Sequence, residues 1–136
     1  MVLTVAFWER YVETVTQEAI THLEANCPGF PVRPWVATSL EKFATPNSGN
    51  VERLLGSVLG FIKPISDLTW QRMGTPHTRL NSLLKRRHDV AHTGITASPA
   101  WKGTVTRDRR FVERLAGRLD EEIASHVDEL CGTRPW

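Results

Sequence analysis

Cysteine is scarce in this 136-residue chain, which holds only Cys27 and Cys131, together with one tyrosine and two methionines. Two cysteines are too few for a disulfide scaffold, and with no cysteine nearby neither forms half of a metal knuckle. They read as ordinary buried or half-buried thiols. Long hydrophobic runs are missing, and Met1 to Trp8 lacks the basic segment and apolar stretch of a secretion signal. Neither membrane spanning nor export is therefore expected, and the expected compartment is the cytoplasm. No internal repeat, low-complexity segment or strand-like alternation of apolar and polar residues occurs. With 40% hydrophobic and 24% charged residues, the composition excludes a disordered chain, a coiled-coil rod and a collagen-like chain. The length suits one domain, residues 1–136.

A strong excess of one charge is also lacking: 17 Lys and Arg face 15 Asp and Glu, for a net charge of +2. That balance permits a polyanionic partner without demanding one. The local distribution is more informative. Between Arg72 and Arg87 the chain carries Arg72, His77, Arg79, Lys85, Arg86 and Arg87 with no acidic residue among them.

What the sequence does have is helical periodicity. Leu3, Phe7, Tyr11, Val15, Ala19 and Leu23 recur every four residues beside Trp8, Val12 and Ile20, and no Gly or Pro interrupts Thr4 to Asn26. This predicts an amphipathic helix of about six turns, stopped by Pro28 and Gly29. Residues 28–50 contain Pro28, Pro31, Pro34 and Pro46 and read as mostly irregular, with Thr38 to Phe43 suited to a turn of helix or a short strand. Asn50 is the expected cap of a second helix bearing Val51, Leu54, Leu55, Val58, Leu59 and Ile62, which Gly56 and Gly60 weaken and Pro64 closes. After a loop carrying Trp70, a third helix is expected from Pro76 to Gly94, with Leu80, Leu83, Leu84, Val90 and Ala91 at helical spacing. A loop from Thr93 to Thr104 holds Trp101. Beyond it, Phe111, Val112, Leu115, Leu119, Ile123, Val127 and Leu130 mark a long fourth helix ended by Gly132 and Pro135. Its charged residues, from Arg109 and Arg110 to Glu121 and Glu122, fall mostly on the other side. The expected fold is all-α, an antiparallel bundle of four main helices with long loops.

One residue is out of place in that pattern. On a helical wheel with Leu80 at zero, Leu83, Leu84, Val90 and Ala91 lie within about 80°, and Arg87 falls at about 340°, inside the apolar stripe. A guanidinium keeps its charge in a protein, so there it needs an anion, a carbonyl cluster or an interface that stays wet. His88 and His92, at about 80° and 120°, flank the same stripe, and Asp89 lies opposite at about 180°. Imidazoles, with an unperturbed pKa of roughly 6.5, move protons near neutral pH, and arginine binds a phosphate through two parallel hydrogen bonds. RNA supplies its own nucleophile, the 2′-hydroxyl, so an arginine with two histidines is a plausible kit for cutting it without a metal. The spacing alone also fits an ion-paired or snorkelling arginine beside two surface histidines. His88 and His92 with no third ligand are weak evidence for a metal, and no metal or other cofactor is expected.

Arg87-His88-Asp89-Val90-Ala91-His92 matches the Arg-x4-His motif of the HEPN superfamily of small helical proteins, in which a polar residue commonly follows the arginine. Around it, Phe7-Trp8-Glu9-Arg10-Tyr11, Thr45-Pro46, Asn50-Val51-Glu52-Arg53-Leu54-Leu55 and Trp70 resemble the RiboL-PSP-HEPN branch. So do the run from Leu83 to Gly94, Phe111-Val112-Glu113-Arg114-Leu115-Ala116 and Leu119-Asp120, so that the resemblance covers nearly the whole chain. It implies a metal-independent endoribonuclease acting as a homodimer, with the motif helices of two protomers forming one cleft. By the same resemblance, Arg87 holds the scissile phosphate, His92 serves as general base or general acid, and His88 orients the backbone or assists proton transfer. Products carry 2′,3′-cyclic phosphate and 5′-hydroxyl ends. The dimer also accounts for Arg87 on the apolar stripe, because a two-fold axis turns that stripe into a shared polar cleft. HEPN toxins paired with nucleotidyltransferase-like antitoxins carry a tyrosine two places after the motif histidine, where this chain has Gly94. With Tyr11 the only tyrosine, inactivation at a tyrosine beside the motif is not expected here.

Lys85, Arg86 and Arg72 are candidates to track the RNA backbone. Trp70 and Trp101 suit either stacking on bases or plugging the core. The leading expectation is a toxin or defence ribonuclease, with an antitoxin or regulatory protein as a further partner and no membrane involved. The alternative is a non-catalytic HEPN-fold module that binds RNA or protein and dimerises. The blandest reading is a structural helical domain whose Arg87 is ion-paired within one subunit.

Overall fold

The computed structural model describes residues 2–30, 35–68, 75–94 and 102–136. Arg72, Trp70 and Trp101, three of the residues singled out above, lie outside them. Five helices follow one another: α1 (Val2–Asn26), α2 (Trp35–Glu41), α3 (Ser48–Leu59), α4 (Pro76–Thr93) and α5 (Lys102–Cys131). No strand occurs among the described residues. The all-α expectation holds, and the additional helix is α2, where the sequence suggested a helical turn or short strand over Thr38 to Phe43.

α1 is the hub of the bundle, packing on α3, α4 and α5, while α2 leans on α3. Its buried side chains are Val5, Trp8, Val12, Val15, Thr16, Ala19, Ile20 and Leu23, which corrects the four-residue row read from the sequence. Leu3 is 85% exposed and Phe7 52%. The reason is geometric: four residues turn the helix by about 400°, so a strict four-residue row drifts by about 40° at each step. The row starts outside the core at Leu3 and swings into it by Val15.

The α1–α5 contact is held by more than apolar burial. The Tyr11 hydroxyl donates to Asp120 Oδ1 at 2.7 Å and lies 2.9 Å from the Ala116 carbonyl oxygen. Burial, with the Asp120 hydrogen bond and negative charge added, keeps the Tyr11 hydroxyl protonated to higher pH than an ordinary tyrosine. Trp8 is fully buried, stacks beside Tyr11 at 5.5 Å, and donates its indole N–H to the Pro46 carbonyl at 2.8 Å. That bond fixes the segment that leads into α3.

Helix ends follow local chemistry. α3 is capped by Asn47, whose Oδ1 accepts from the Asn50 N–H at 2.8 Å, and not by Asn50 as the apolar spacing suggested. Asn50 instead donates its side-chain amide to the carbonyls of Ala44 and Thr45. The same helix ends at Leu59 because Gly60 adopts a left-handed conformation (φ 68°), which costs glycine little. Ile62, expected inside the helix, lies beyond its end and is 74% exposed. α4 starts and stops as expected, with Pro76 in the first turn and left-handed Gly94 at the end, and the structure adds Thr75 as its cap. α5 begins earlier than expected, at Lys102, and Leu130 near its end is exposed, not buried. Both cysteines are half-buried. No described helix is long and apolar enough to cross a membrane.

Candidate functional site

α4 divides into two halves. Its buried residues are Pro76, Leu80, Leu83 and Leu84, all in the first half. From Lys85 to Gly94 no residue is buried: Val90 is half-buried and Ala91 exposed, although both share the angular sector of Leu80. The apolar stripe thus continues past the buried part of the helix. Arg87 lies on that continuation and is exposed, so it is not a charge enclosed within the monomer's core.

His88 and His92 are exposed neighbours of Arg87 on the same half. One helical turn apart, their rings meet with centroids 4.2 Å apart and planes tilted by 49°. Among the described residues no cluster of three or more His, Cys, Asp and Glu side chains forms a metal-ligating group. Asp89, between the histidines in sequence, receives the Lys85 ammonium at 3.1 Å. An exposed pair of this kind contributes at most about 1 kcal/mol, so a phosphate can compete for Lys85.

Arg86 is engaged differently. Its Nη2 donates to Asp108 Oδ2 at 2.8 Å, and the Asp108 side chain is only 8% exposed. Asp108 is the one charged residue buried among those described, and it occupies the buried side of α5. An aspartate left there without a cation would bear the full desolvation cost, so the pair ties α4 to α5 one residue before Arg87. Arg79 strengthens the same seam, donating to the Arg107 carbonyl at 3.2 Å and laying its guanidinium 4.6 Å over the Phe111 ring. The signal for Asp108 was present in the sequence. It stands three residues before Phe111 on the stripe that continues through Leu115 and Leu119, a charge in an apolar register like Arg87.

The structure therefore places Arg87, His88 and His92 on the exposed half of α4, with the two histidine rings in contact, Lys85 paired with Asp89 and Arg86 turned to α5. No protein family, curated sequence or solved structure matches the chain.

Proposed function

We propose that the protein is a metal-independent endoribonuclease of the HEPN type, acting as a homodimer through the C-terminal half of α4. The observation that carries this reading is that Arg87, His88 and His92 share the half of α4 in which no residue is buried, with the two histidine rings in contact. A second copy packed against that half buries Val90 and Ala91 and leaves the Arg87 and His92 side chains of both copies in one wet cleft.

In that cleft Arg87 binds the scissile phosphate and stabilises the added charge of the pentacoordinate transition state. An imidazole takes the proton from the ribose 2′-hydroxyl as the 2′-oxygen bonds to phosphorus. The bond from phosphorus to the 5′-oxygen breaks, and that oxygen leaves with a proton from an acid. His92 fills one of these roles, and His88 supports the other or orients the strand. Lys85 contacts a flanking phosphate. Arg86 serves through Asp108 by holding α4 in place. The biological role that suits such an enzyme is that of a toxin or defence effector, kept in check by an antitoxin or a regulatory protein.

Arg87→Ala is expected to lower cleavage of end-labelled structured RNA by about 10²–10³-fold, because one preorganised donor to the transition state is lost. The assay is run in excess EDTA, with sedimentation of the parent to establish its oligomeric state. Cleavage by parent and variant at equal rates would remove Arg87 from the site. An intact dimeric parent that binds several RNAs and cuts none favours the non-catalytic binding module instead.

A further inference from the structure

Five polar residues of α4 lie along one strip of the helix. On the wheel that places Leu80 at zero, His77, Asn81, Lys85, His88 and His92 fall between about 60° and 140°. The strip starts in the first turn and ends at the motif. Over its first part it borders a groove of about 490 Å³ whose far wall is formed by the segment leading into α3. His77, Asn81, Lys85 and His88 line the α4 wall, with Leu84 between them, and Thr45, Asn47, Ser48 and Gly49 line the other. His88 belongs to both places: it lines the groove and its ring lies against that of His92.

The groove's chemistry is that of a base-reading site more than of a phosphate clamp. The first amides of α3 are already occupied: Asn81 Oδ1 accepts from the Ser48 N–H at 3.1 Å and lies 3.2 Å from its hydroxyl, and Asn47 Oδ1 takes the Asn50 N–H. The cation, Lys85, is shared with Asp89. What remains is a mixed surface. Leu84 offers an apolar patch, two exposed imidazoles offer planes on which a base can stack, and the Asn81 amino group has no hydrogen bond among the described residues. Single-stranded RNA is read through such stacking combined with hydrogen bonds to base edges. The volume falls in the range of small-molecule sites.

We infer that this groove is a specificity subsite that seats one nucleobase of the RNA strand next to the scissile phosphate, with His77 or His88 stacking on it and Asn81 reading its edge. The inference rests on the ribonuclease reading above and adds a determinant of which sequence is cut. His88 connects the two, because a base held in the groove sets the neighbouring phosphate at the end of the strip that carries His92.

The test uses the full chain and a pool of single-stranded RNAs randomised around a fixed position, with cleavage sites mapped by sequencing the product ends. Asn81→Asp keeps an oxygen to accept from Ser48 and replaces the amino donor by an acceptor. His77→Ala removes a stacking surface and leaves the buried residues of α4 untouched. Thermal melts check that both variants fold. The parent is expected to prefer one base beside the cut, Asn81→Asp to change that preference about tenfold, and His77→Ala to relax it. A parent that cuts RNA with a preference neither variant alters overturns the subsite and leaves the ribonuclease reading standing. A parent that cuts no RNA overturns both.

Discussion

Replacing His92 with alanine is expected to slow RNA cleavage about 10²–10⁴-fold, the range for loss of a positioned proton-transfer group. The effect falls on chemistry and not on folding, because His92 is exposed and its removal opens no cavity. Substitutions at such surface positions change stability by no more than about 0.5 kcal/mol. Within the protein the variant gives up ring packing on His88, where the two centroids lie 4.2 Å apart. Single-turnover cleavage at saturating protein isolates the chemical step, and an RNA-binding assay on the same variant reports affinity. The expected pattern is a collapsed rate with RNA affinity close to the parent's. In the proposed reaction Arg87 and His92 act on one transition state, so the Arg87→Ala, His92→Ala double variant is expected to be little slower than the slower single variant. Parental rates for His92→Ala would exclude it from proton transfer.

Trp8→Ala is expected to cost about 3–5 kcal/mol of folding stability. A native domain has only about 5–15 kcal/mol in hand, so the loss takes a large share of it. Trp8 is among the largest fully buried side chains, on the helix that contacts α3, α4 and α5. Its truncation leaves a void in the hub of the bundle and strands the Pro46 carbonyl, which accepts its indole N–H at 2.8 Å. Trp8→Phe separates the two parts: it keeps most of the apolar volume and loses the hydrogen bond, for an expected cost of about 1–3 kcal/mol. Urea unfolding followed by circular dichroism measures both. A loss below about 1 kcal/mol for Trp8→Ala would contradict the central position given to this residue.

The sequence made some of these features plain and hid others for definable reasons. α4 was legible at both ends because Pro76 and Gly94 are residues whose backbone preferences match a helix start and stop. The register of α1 was less legible, since a row spaced by four residues does not follow a helix of 3.6 residues per turn over six turns. That is why Leu3 and Phe7 read as core and lie outside it. The cap of α3 was read as Asn50 because the apolar run starts at the next residue, Val51. Asn47 fills the role because its side chain reaches the Asn50 N–H, while Asn50 is drawn to the carbonyls of Ala44 and Thr45.

The candidate site shows the same division. Arg87 on the apolar stripe was visible from angles alone, yet a wheel gives direction and not depth. It cannot say that no residue of α4 after Leu84 is buried, which makes Arg87 an exposed group and not a core anomaly. The partner of Arg86 was hidden for another reason: Asp108 lies on a different helix, 22 residues away, and only packing of α4 on α5 brings the two within 2.8 Å. The groove beside α4 was likewise invisible in one dimension, because its two walls are separated by most of α3 and the loop after it.

In the proposed reaction RNA is cut by its own 2′-hydroxyl at Arg87 and His92, and the chemistry of the product ends records whether it is. The parent protein is incubated with a structured RNA in excess EDTA, and the fragments are identified by mass spectrometry. The expected fragments end in 2′,3′-cyclic phosphate and begin with 5′-hydroxyl, with no break at a position whose ribose lacks the 2′-hydroxyl. Fragments with 5′-phosphate and 3′-hydroxyl ends, or a break at the 2′-deoxy position, would contradict it.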